Sequence, residues 1–291
     1  MGLVFDEQFL RQLERLSVLS KRATVGDSQG NQHSAKRGTS VEFADYRNYA
    51  HGDDFRQVDW NVYARLERYF IKLFVEDTDL TVHLLIDTSR SMDWGTPTKL
   101  SYAQHAAAAL GYIALAGYDR VTVSAFSSGI TQTLTPRRGK RQSVTLFQFL
   151  SDLSHDGSTD LASTLQQYVA QAGQPGPLLL MSDLFDNTWQ ESLRILQTRP
   201  FEITLLHILS ADEVTPSVEG DLRLIDSESG RHIEVTADFE LHRRYRESFE
   251  RWIDEIRRFC DRRGINYVQV DTSVPFEKLI FMYLQQRRIL G

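Results

Sequence analysis

The first indication of the fold is the segment Thr81-Val82-His83-Leu84-Leu85-Ile86-Asp87-Thr88-Ser89-Arg90-Ser91. Its first six residues form a short, mainly apolar run, and the five residues that follow are all polar. A short apolar run that ends abruptly is typical of a buried β-strand. The segment therefore predicts a central strand with a polar loop at its carboxyl end.

Four similar strand patterns follow along the chain, and helical patterns separate them. The predicted strands are residues 120–126, 178–181, 203–209 and 265–270, and the predicted helices are residues 98–116, 160–172, 188–198 and 239–263. Strands that alternate with helices form parallel sheets covered on both faces. The sequence therefore predicts an α/β fold with a doubly wound, mostly parallel sheet, interrupted by hairpin-like pieces at 130–135 and 222–236.

The strand and helix alternation begins near residue 80 and divides the chain into three predicted parts. Residues 1–79 are predicted to form a small N-terminal subdomain, with an amphipathic helix at 3–20 and an aromatic-rich segment after it. Residues 80–271 form the main α/β domain, and residues 272–291 form a C-terminal helix. Within the first part, the Asp, Arg and aromatic residues of 41–65 are expected to pair with each other and stabilise the fold, because unpaired buried charges are costly. A partner-binding role for this segment is the less favoured alternative.

The composition is that of an ordinary globular protein. The chain has 291 residues, of which 41% are hydrophobic and 25% charged, and its formal net charge is -6. This balance gives no reason to expect a nucleic-acid or anionic-membrane surface. The single cysteine, Cys260, closes no intramolecular disulfide. Because neither a signal peptide nor an apolar run of roughly 20 residues is visible, we expect a cytoplasmic protein without a membrane segment.

Oxygen-bearing side chains follow the predicted strands at the points where they end. These are Asp87, Ser89 and Ser91 after the first strand, Thr159 before the helix at 160, and Asp183 after the strand at 178–181. The carboxyl ends of parallel strands meet at one edge of a sheet, so these side chains are expected to converge. Such donors suit a hard divalent cation, Mg2+, Mn2+ or Ca2+, and ligand type alone does not choose among the three.

Helix capping is the simpler interpretation of these residues. Thr159 is placed to cap the helix that begins near residue 160. The helix near residue 188, however, has a predicted capping box of its own, formed by Thr188 and Glu191. Capping therefore does not account for Asp183, and a metal site is the favoured interpretation of the whole set.

Two parts of the sequence resemble known proteins. Asp87-Thr88-Ser89-Arg90-Ser91-Met92, with Thr159 and Asp183, resembles the metal-ion-dependent adhesion site (MIDAS) of von Willebrand factor type A domains. Upstream, Val41-Glu42-Phe43-Ala44-Asp45-Tyr46-Arg47-Asn48-Tyr49 and Gly52-Asp53-Asp54-Phe55-Arg56-Gln57-Val58-Asp59-Trp60 resemble the bacterial family called domain of unknown function 58. This resemblance extends from about Gly38 to the C-terminus.

The resemblance implies a function and a role for each site residue. Ser89, Ser91 and Thr159 would contact the metal directly, and Asp87 and Asp183 would act mainly through water. The protein would be a non-enzymatic interaction module whose cation binds an acidic residue of a protein partner. Members of the family are often associated with AAA+ ATPases of the MoxR type, which implies such an ATPase as a partner in assembling or activating a client complex.

Two alternatives remain open beside the interaction module. A phosphatase of the haloacid dehalogenase type would use Asp87, but it needs a second Asp at the position of Ser89. A metal-free scaffold would use the same loops without an ion. Other enzyme motifs are incomplete: Gly26-Asp27-Ser28-Gln29-Gly30 matches a nucleophile elbow by letter but lacks the flanking strand and helix, and no P-loop or dinucleotide fingerprint is present.

Overall fold

The structure is a computed structural model that describes residue 11 and residues 41–49, 58–66, 68–76, 80–155, 157–225, 230–275 and 278–279. The chain divides into two compact units, one of residues 29–79 and one of residues 1–28 together with 80–291. The helices predicted at 3–20 and 272–291 fall almost entirely outside the described residues, so these two assignments stay predictions.

The smaller unit contains an antiparallel pair of strands and a short helix. The ring of Tyr63 stacks on the ring of Tyr69, with 4.6 Å between their centroids. The carboxylate of Asp59 accepts a hydrogen bond from the backbone N–H of Val62, 3.3 Å away. Neither contact joins an Asp and an Arg of the segment 41–65, so the predicted pairing of these residues stays a prediction. The elements are β1 (Val41–Asn48), α1 (Trp60–Leu66) and β2 (Phe70–Glu76).

The larger unit is built on a six-stranded sheet. Its strands are β3 (Thr81–Asp87), β4 (Arg120–Phe126), β5 (Ile130–Arg138), β6 (Pro177–Ser182), β7 (Glu202–Leu209) and β10 (Asn266–Asp271). They lie in the order β10-β7-β6-β3-β4-β5, and all neighbours are parallel except β4 and β5. This arrangement confirms the predicted α/β fold with a doubly wound, mostly parallel sheet.

The two hairpin-like pieces of the sequence have different outcomes. The segment predicted at 222–236 forms a separate two-stranded sheet of β8 (Gly220–Ile225) and β9 (His232–Ala237). The piece predicted at 130–135 is instead part of β5, the antiparallel edge strand of the main sheet. It pairs with β4 because the turn between the two strands is short.

Helices cover both faces of the main sheet. One face carries α2 (Lys99–Ala116) and α3 (Ser143–Ser151), and the other carries α4 (Leu161–Gln171), α5 (Trp189–Leu196) and α7 (Phe239–Asp261). A single turn, α6 (Ala211–Val214), follows β7. Almost every residue of α2 is buried, because its many alanines let the helix approach the sheet closely. No helix among the described residues is long and apolar enough to cross a bilayer.

The register between β3 and β6 depends on a close backbone contact at Gly176. A Cβ atom at this position would lie 2.4 Å from the backbone oxygen of Thr81, and neither backbone can move without shifting a strand. Gly173, three residues earlier, has open space where a Cβ would be.

We expect Gly176→Ala to lower the free energy of unfolding by about 2 kcal/mol, the usual cost of overpacking. The matched variant Gly173→Ala should change it by less than about 1 kcal/mol, because its side chain meets nothing. Urea denaturation of the two variants and the wild type measures the difference. Equal stabilities of the two variants would show that the contact is easily relieved.

Candidate functional site

The predicted site lies at the carboxyl ends of two neighbouring strands. Asp87 is the last residue of β3, and Ser182 is the last residue of β6, with Asp183 directly after it. Because β3 and β6 are parallel and adjacent, their carboxyl ends meet at the same edge of the sheet. The side chains of Asp87 and Asp183 are both buried there. The structure therefore brings the two predicted carboxylates together.

Asp87 is held by two hydrogen bonds. The backbone N–H of Ser89 donates to Oδ1 at 2.9 Å, and the hydroxyl of Ser182 donates to Oδ2 at 2.7 Å. Burial and then the negative charge of Asp183 raise the pKa of Asp87 to about 7, while the hydrogen bonds from Ser182 and Ser89 act in the opposite direction. A positive charge placed beside Asp87 would favour its ionised form.

The two predicted serine ligands lie side by side. The hydroxyl oxygens of Ser89 and Ser91 are 3.0 Å apart. Adjacent ligands of an octahedral Mg2+ ion, with bonds of about 2.1 Å, are separated by about 3 Å, so this spacing fits such an ion. Ser89 is fully buried, whereas Ser91 is half-buried and lies nearer the surface.

Thr159 lies in a loop whose backbone is hydrogen-bonded to the loop that carries Ser89 and Ser91, called here the serine loop. The backbone N–H of Arg90 donates to the carbonyl of Gly157 at 3.1 Å. Thr159 does not cap helix α4: the cap is Asp160, whose carboxylate accepts from the backbone N–H of Ser163 at 3.0 Å. The side chain of Thr159 is half-buried.

Asp186, which the sequence analysis does not single out, joins the loops that carry Thr159 and Asp183. One of its carboxylate oxygens accepts from the backbone N–H of Leu161 at 2.9 Å, at the start of α4. The other accepts from the backbone N–H and the hydroxyl of Thr188, at 2.6 and 2.7 Å. The spacing Asp-x-Thr at residues 186–188 is typical of an Asx turn and could have indicated this role of Asp186 from the sequence.

The predicted capping box of Thr188 and Glu191 is therefore wrong. The side chain of Thr188 makes no cap hydrogen bond to helix α5, because its hydroxyl donates to Asp186 instead. A capping box is present elsewhere, at the start of α6, between Ser210 and Glu213. The conclusion that capping does not explain Asp183 still holds, because both oxygens of Asp183 have other partners.

The main residue that the sequence analysis missed is Lys99, the first residue of helix α2. Its side chain is fully buried, and its ammonium group lies 2.7 Å from Oδ2 of Asp183. The same group forms a second ion pair with Glu213 and lies 4.8 Å from the centre of the Phe185 ring. Lysine is almost never fully buried, so a sequence pattern gives no reason to place one inside.

Asp183 is fixed by its backbone as well as by Lys99. Its Oδ1 accepts from the backbone N–H of Phe185 at 3.2 Å, and its carbonyl oxygen lies 2.9 Å from Nε2 of His207. A carbonyl only accepts, so Nε2 of His207 carries the hydrogen and Nδ1 accepts from the Tyr267 hydroxyl at 2.9 Å. His207 and His83 were predicted to be satisfied core residues, and both are buried with two hydrogen-bond partners.

The donor set is richer in hydroxyls than in charged ligands. Over the described ranges, no three or more His, Cys, Asp or Glu side chains are grouped so that they could hold a metal ion. A cation at this edge would thus depend on Ser89, Ser91 and Thr159 for direct protein ligands, with Asp87 and Asp183 close behind. Hard oxygen donors of this kind match Mg2+, which keeps several waters.

Comparison with known proteins gives a family and several structural likenesses. Residues 45–258 match the family described as "Protein of unknown function DUF58". Uncharacterized proteins of Mycobacterium tuberculosis and Mycobacterium bovis are each 26% identical over 257 residues, which is 86% of this chain and 79% of theirs.

The similar solved structures are more distant. The conserved hypothetical protein BatB from Bacteroides thetaiotaomicron has 13% identity and a TM-score of 0.44, covering 71% of this chain and 98% of that one. An aerotolerance-related membrane protein from Bacteroides fragilis has 15% identity and a TM-score of 0.43, covering 71% and 99%.

The buried position of His207 gives a pH dependence that can be measured. Burial lowers the pKa of His207 from 6.5 to about 4. The folded state keeps the ring neutral, whereas the unfolded chain takes up a proton below pH 6.5. The contribution of His207 to stability is therefore complete above pH 6.5 and is lost as the pH falls towards 4, by about 3 kcal/mol in total.

We expect the free energy of unfolding of His207→Gln, in which residue 207 does not titrate, to rise by about 3 kcal/mol relative to that of the wild type as the pH falls from 6.5 to 4. His232→Gln serves as the control, since His232 is exposed. Urea denaturation at several pH values measures both. Parallel curves for wild type and His207→Gln would contradict the assignment, because the contribution of Asp87 is the same in both proteins and cancels in their difference.

Proposed function

The chain belongs to the DUF58 family, and we propose that it is a non-enzymatic interaction module that presents a divalent cation to an acidic residue of a protein partner. The observation that carries this proposal is the charge balance at the edge of the sheet where β3 and β6 end, called here the Asp87 edge. The carboxylates of Asp183 and Glu213 pair with the ammonium group of Lys99, and the carboxylate of Asp87 lies close enough to Asp183 for the two charges to interact. When Asp87 is ionised, these four groups together carry two net negative charges, which is the charge that a divalent cation neutralises.

The ligand arrangement supports the same proposal. The hydroxyls of Ser89, Ser91 and Thr159 would hold the ion directly, and Asp87 and Asp183 would act mainly through water, as in the MIDAS of von Willebrand factor type A domains. The bound ion would supply an electrophilic position for a carboxylate oxygen. Because the direct protein ligands are neutral, the ion would keep enough positive charge to attract a carboxylate from outside.

The surface around this edge suits a partner with apolar residues next to its acidic one. Trp94 follows the serine loop and is 57% exposed, and Phe185 follows Asp183 and is 47% exposed. The ring of Phe185 stacks on Trp252, with 5.3 Å between centroids, so it is held in place rather than free to fold away. Exposed, immobilised aromatic rings are common anchors in protein interfaces.

A metal-free scaffold is the second candidate, and the ion pair between Lys99 and Asp183 favours it. In this alternative the ammonium group itself is the permanent counter-ion of the buried carboxylates. A phosphatase that uses Asp87 has less support, because both oxygens of Asp87 accept hydrogen bonds and position 89 is a serine, which offers no carboxyl for acid–base chemistry.

We expect Mg2+ to bind the wild-type protein with a heat measurable by isothermal titration calorimetry. Asp87→Asn keeps the shape and removes a charge, and Ser89→Ala removes a direct ligand, so each should weaken binding by at least about tenfold. Ser151→Ala is the matched control, because its hydroxyl lies on α3 and contacts only the carbonyl of Gln148. Binding equal to wild type in the Asp87 and Ser89 variants would contradict the proposal, and no binding in any protein would favour the scaffold.

For the partner, we propose a cytoplasmic AAA+ ATPase of the MoxR type, on the family resemblance. The full chain, immobilised and exposed to lysate of its own source with Mg2+ or with a chelator, should retain the ATPase only in Mg2+. Asp87→Asn should lose it in both conditions. An ATPase retained equally by wild type and Asp87→Asn would separate the interaction from the metal site.

A further inference from the structure

Lys99 is the least expected charged group in the described part of the chain. A lysine whose whole side chain is buried loses its hydration, and it stays charged only where carboxylates replace the water. Here two do so: Asp183 on the loop after β6 and Glu213 in the turn α6 after β7. The ammonium group is thus shared between a proposed metal-site residue and a carboxylate outside that site.

Glu213 is fixed in this position by its own neighbours. One carboxylate oxygen pairs with Lys99, and the other accepts from the backbone N–H of Ser210 at 2.8 Å. The backbone N–H of Glu213 in turn donates to the hydroxyl of Ser210 at 3.3 Å. The Tyr245 hydroxyl on α7 donates to the carbonyl of Glu213 at 2.6 Å. These contacts hold the carboxylate of Glu213 next to the ammonium group of Lys99.

We propose that Lys99 and Glu213 together set the affinity of the Asp87 edge for a divalent cation, a proposal that rests on the function proposed above. Lys99 opposes the ion in two ways: it occupies one oxygen of Asp183, and its positive charge repels a second cation nearby. Glu213 cancels most of that repulsion by neutralising the ammonium group. Neither residue contacts the ion; both act on it through Asp183 and through the local field.

The roles of the two residues predict opposite effects of their removal. Without the charge of Glu213, Lys99 is balanced by Asp183 alone, so Asp183 is less available and the ion binds more weakly. Without the charge of Lys99, three carboxylates are left unbalanced, so the ion binds more tightly and also restores stability. A purely structural pair would not produce this reversal, because losing either partner would weaken the site.

The sharpest variant is Glu213→Gln. Glutamine keeps the side-chain oxygen that accepts from the backbone N–H of Ser210 and replaces the oxygen that faces Lys99 by an NH2 group, so the turn can form while the charge is removed. Asp212→Asn is the matched control: it removes a charge from the same turn, but Asp212 is exposed and has no described contact with Lys99. Lys99→Met replaces the ammonium group by an apolar side chain of similar length.

The experiment is isothermal titration calorimetry of Mg2+ with the full chain, together with thermal unfolding in Mg2+ and in chelator. We expect the dissociation constant to rise by at least about tenfold in Glu213→Gln, to stay within about twofold in Asp212→Asn, and to fall by at least about tenfold in Lys99→Met. Lys99→Met should unfold at a lower temperature than wild type in chelator and recover much of the difference in Mg2+.

The outcomes separate this inference from the proposed function. If wild type binds Mg2+ and Glu213→Gln binds it as tightly as Asp212→Asn does, the role of Glu213 and Lys99 is overturned while the metal site stands. If wild type binds no Mg2+ but Lys99→Met does, the native metal function is overturned and the opposition by Lys99 is supported. If no protein binds Mg2+, both are overturned. Where Lys99→Met fails to fold, Glu213→Gln still tests the charge of Glu213, because glutamine can accept the hydrogen bond from the backbone N–H of Ser210, and Mg2+ binding as tight as that of Asp212→Asn overturns the proposal.

Discussion

Two carboxylates confined at one buried edge of a parallel sheet are the constraint on which the rest of this molecule's site depends. Asp87 and Asp183 lie there because β3 and β6 are neighbours that run in the same direction. Buried charges of the same sign are costly unless each has partners. The surrounding residues supply them: hydroxyl and backbone donors for Asp87, and an ammonium group with a backbone donor for Asp183.

Residues outside the proposed metal site also hold its loops in position. Asp186 fastens the loop after β6 to the start of α4, and His207 on β7 holds the carbonyl of Asp183. Loops that are cross-linked in this way keep their donors in position before any ion or partner arrives, which lowers the entropic cost of binding.

The sequence was most informative where one local pattern determined the structure. The apolar runs predicted the parallel strands, and the residues after them predicted which carboxylates meet, because topology alone brings strand ends together. The edge strand of the sheet and the shortest elements were harder to predict. Residues 130–135 were predicted as a hairpin-like piece that interrupts the alternation of strands and helices, whereas β5 is an edge strand of the main sheet. The short helix α3 has too few turns for a clear helical period.

Long-range pairs escaped prediction for a different reason. Lys99 and Glu213 are 114 positions apart, and nothing local marks either as buried. Thr188 shows the same limit, since its capping pattern is correct in spacing but Asp186 takes its hydroxyl in three dimensions. Local propensities are overridden wherever a distant residue offers a stronger hydrogen bond or a counter-charge.

The alanine-rich packing of α2 has a consequence for how precisely the ammonium group is positioned. Alanine has no rotamers, so the buried surface of this helix cannot absorb a disturbance by turning side chains; the helix shifts as a whole or not at all. Lys99 is its first residue, and Ala107 lies about 12 Å further along its axis. The helix thus fixes the backbone position of Lys99, and Asp183 and Glu213 then hold the end of its side chain.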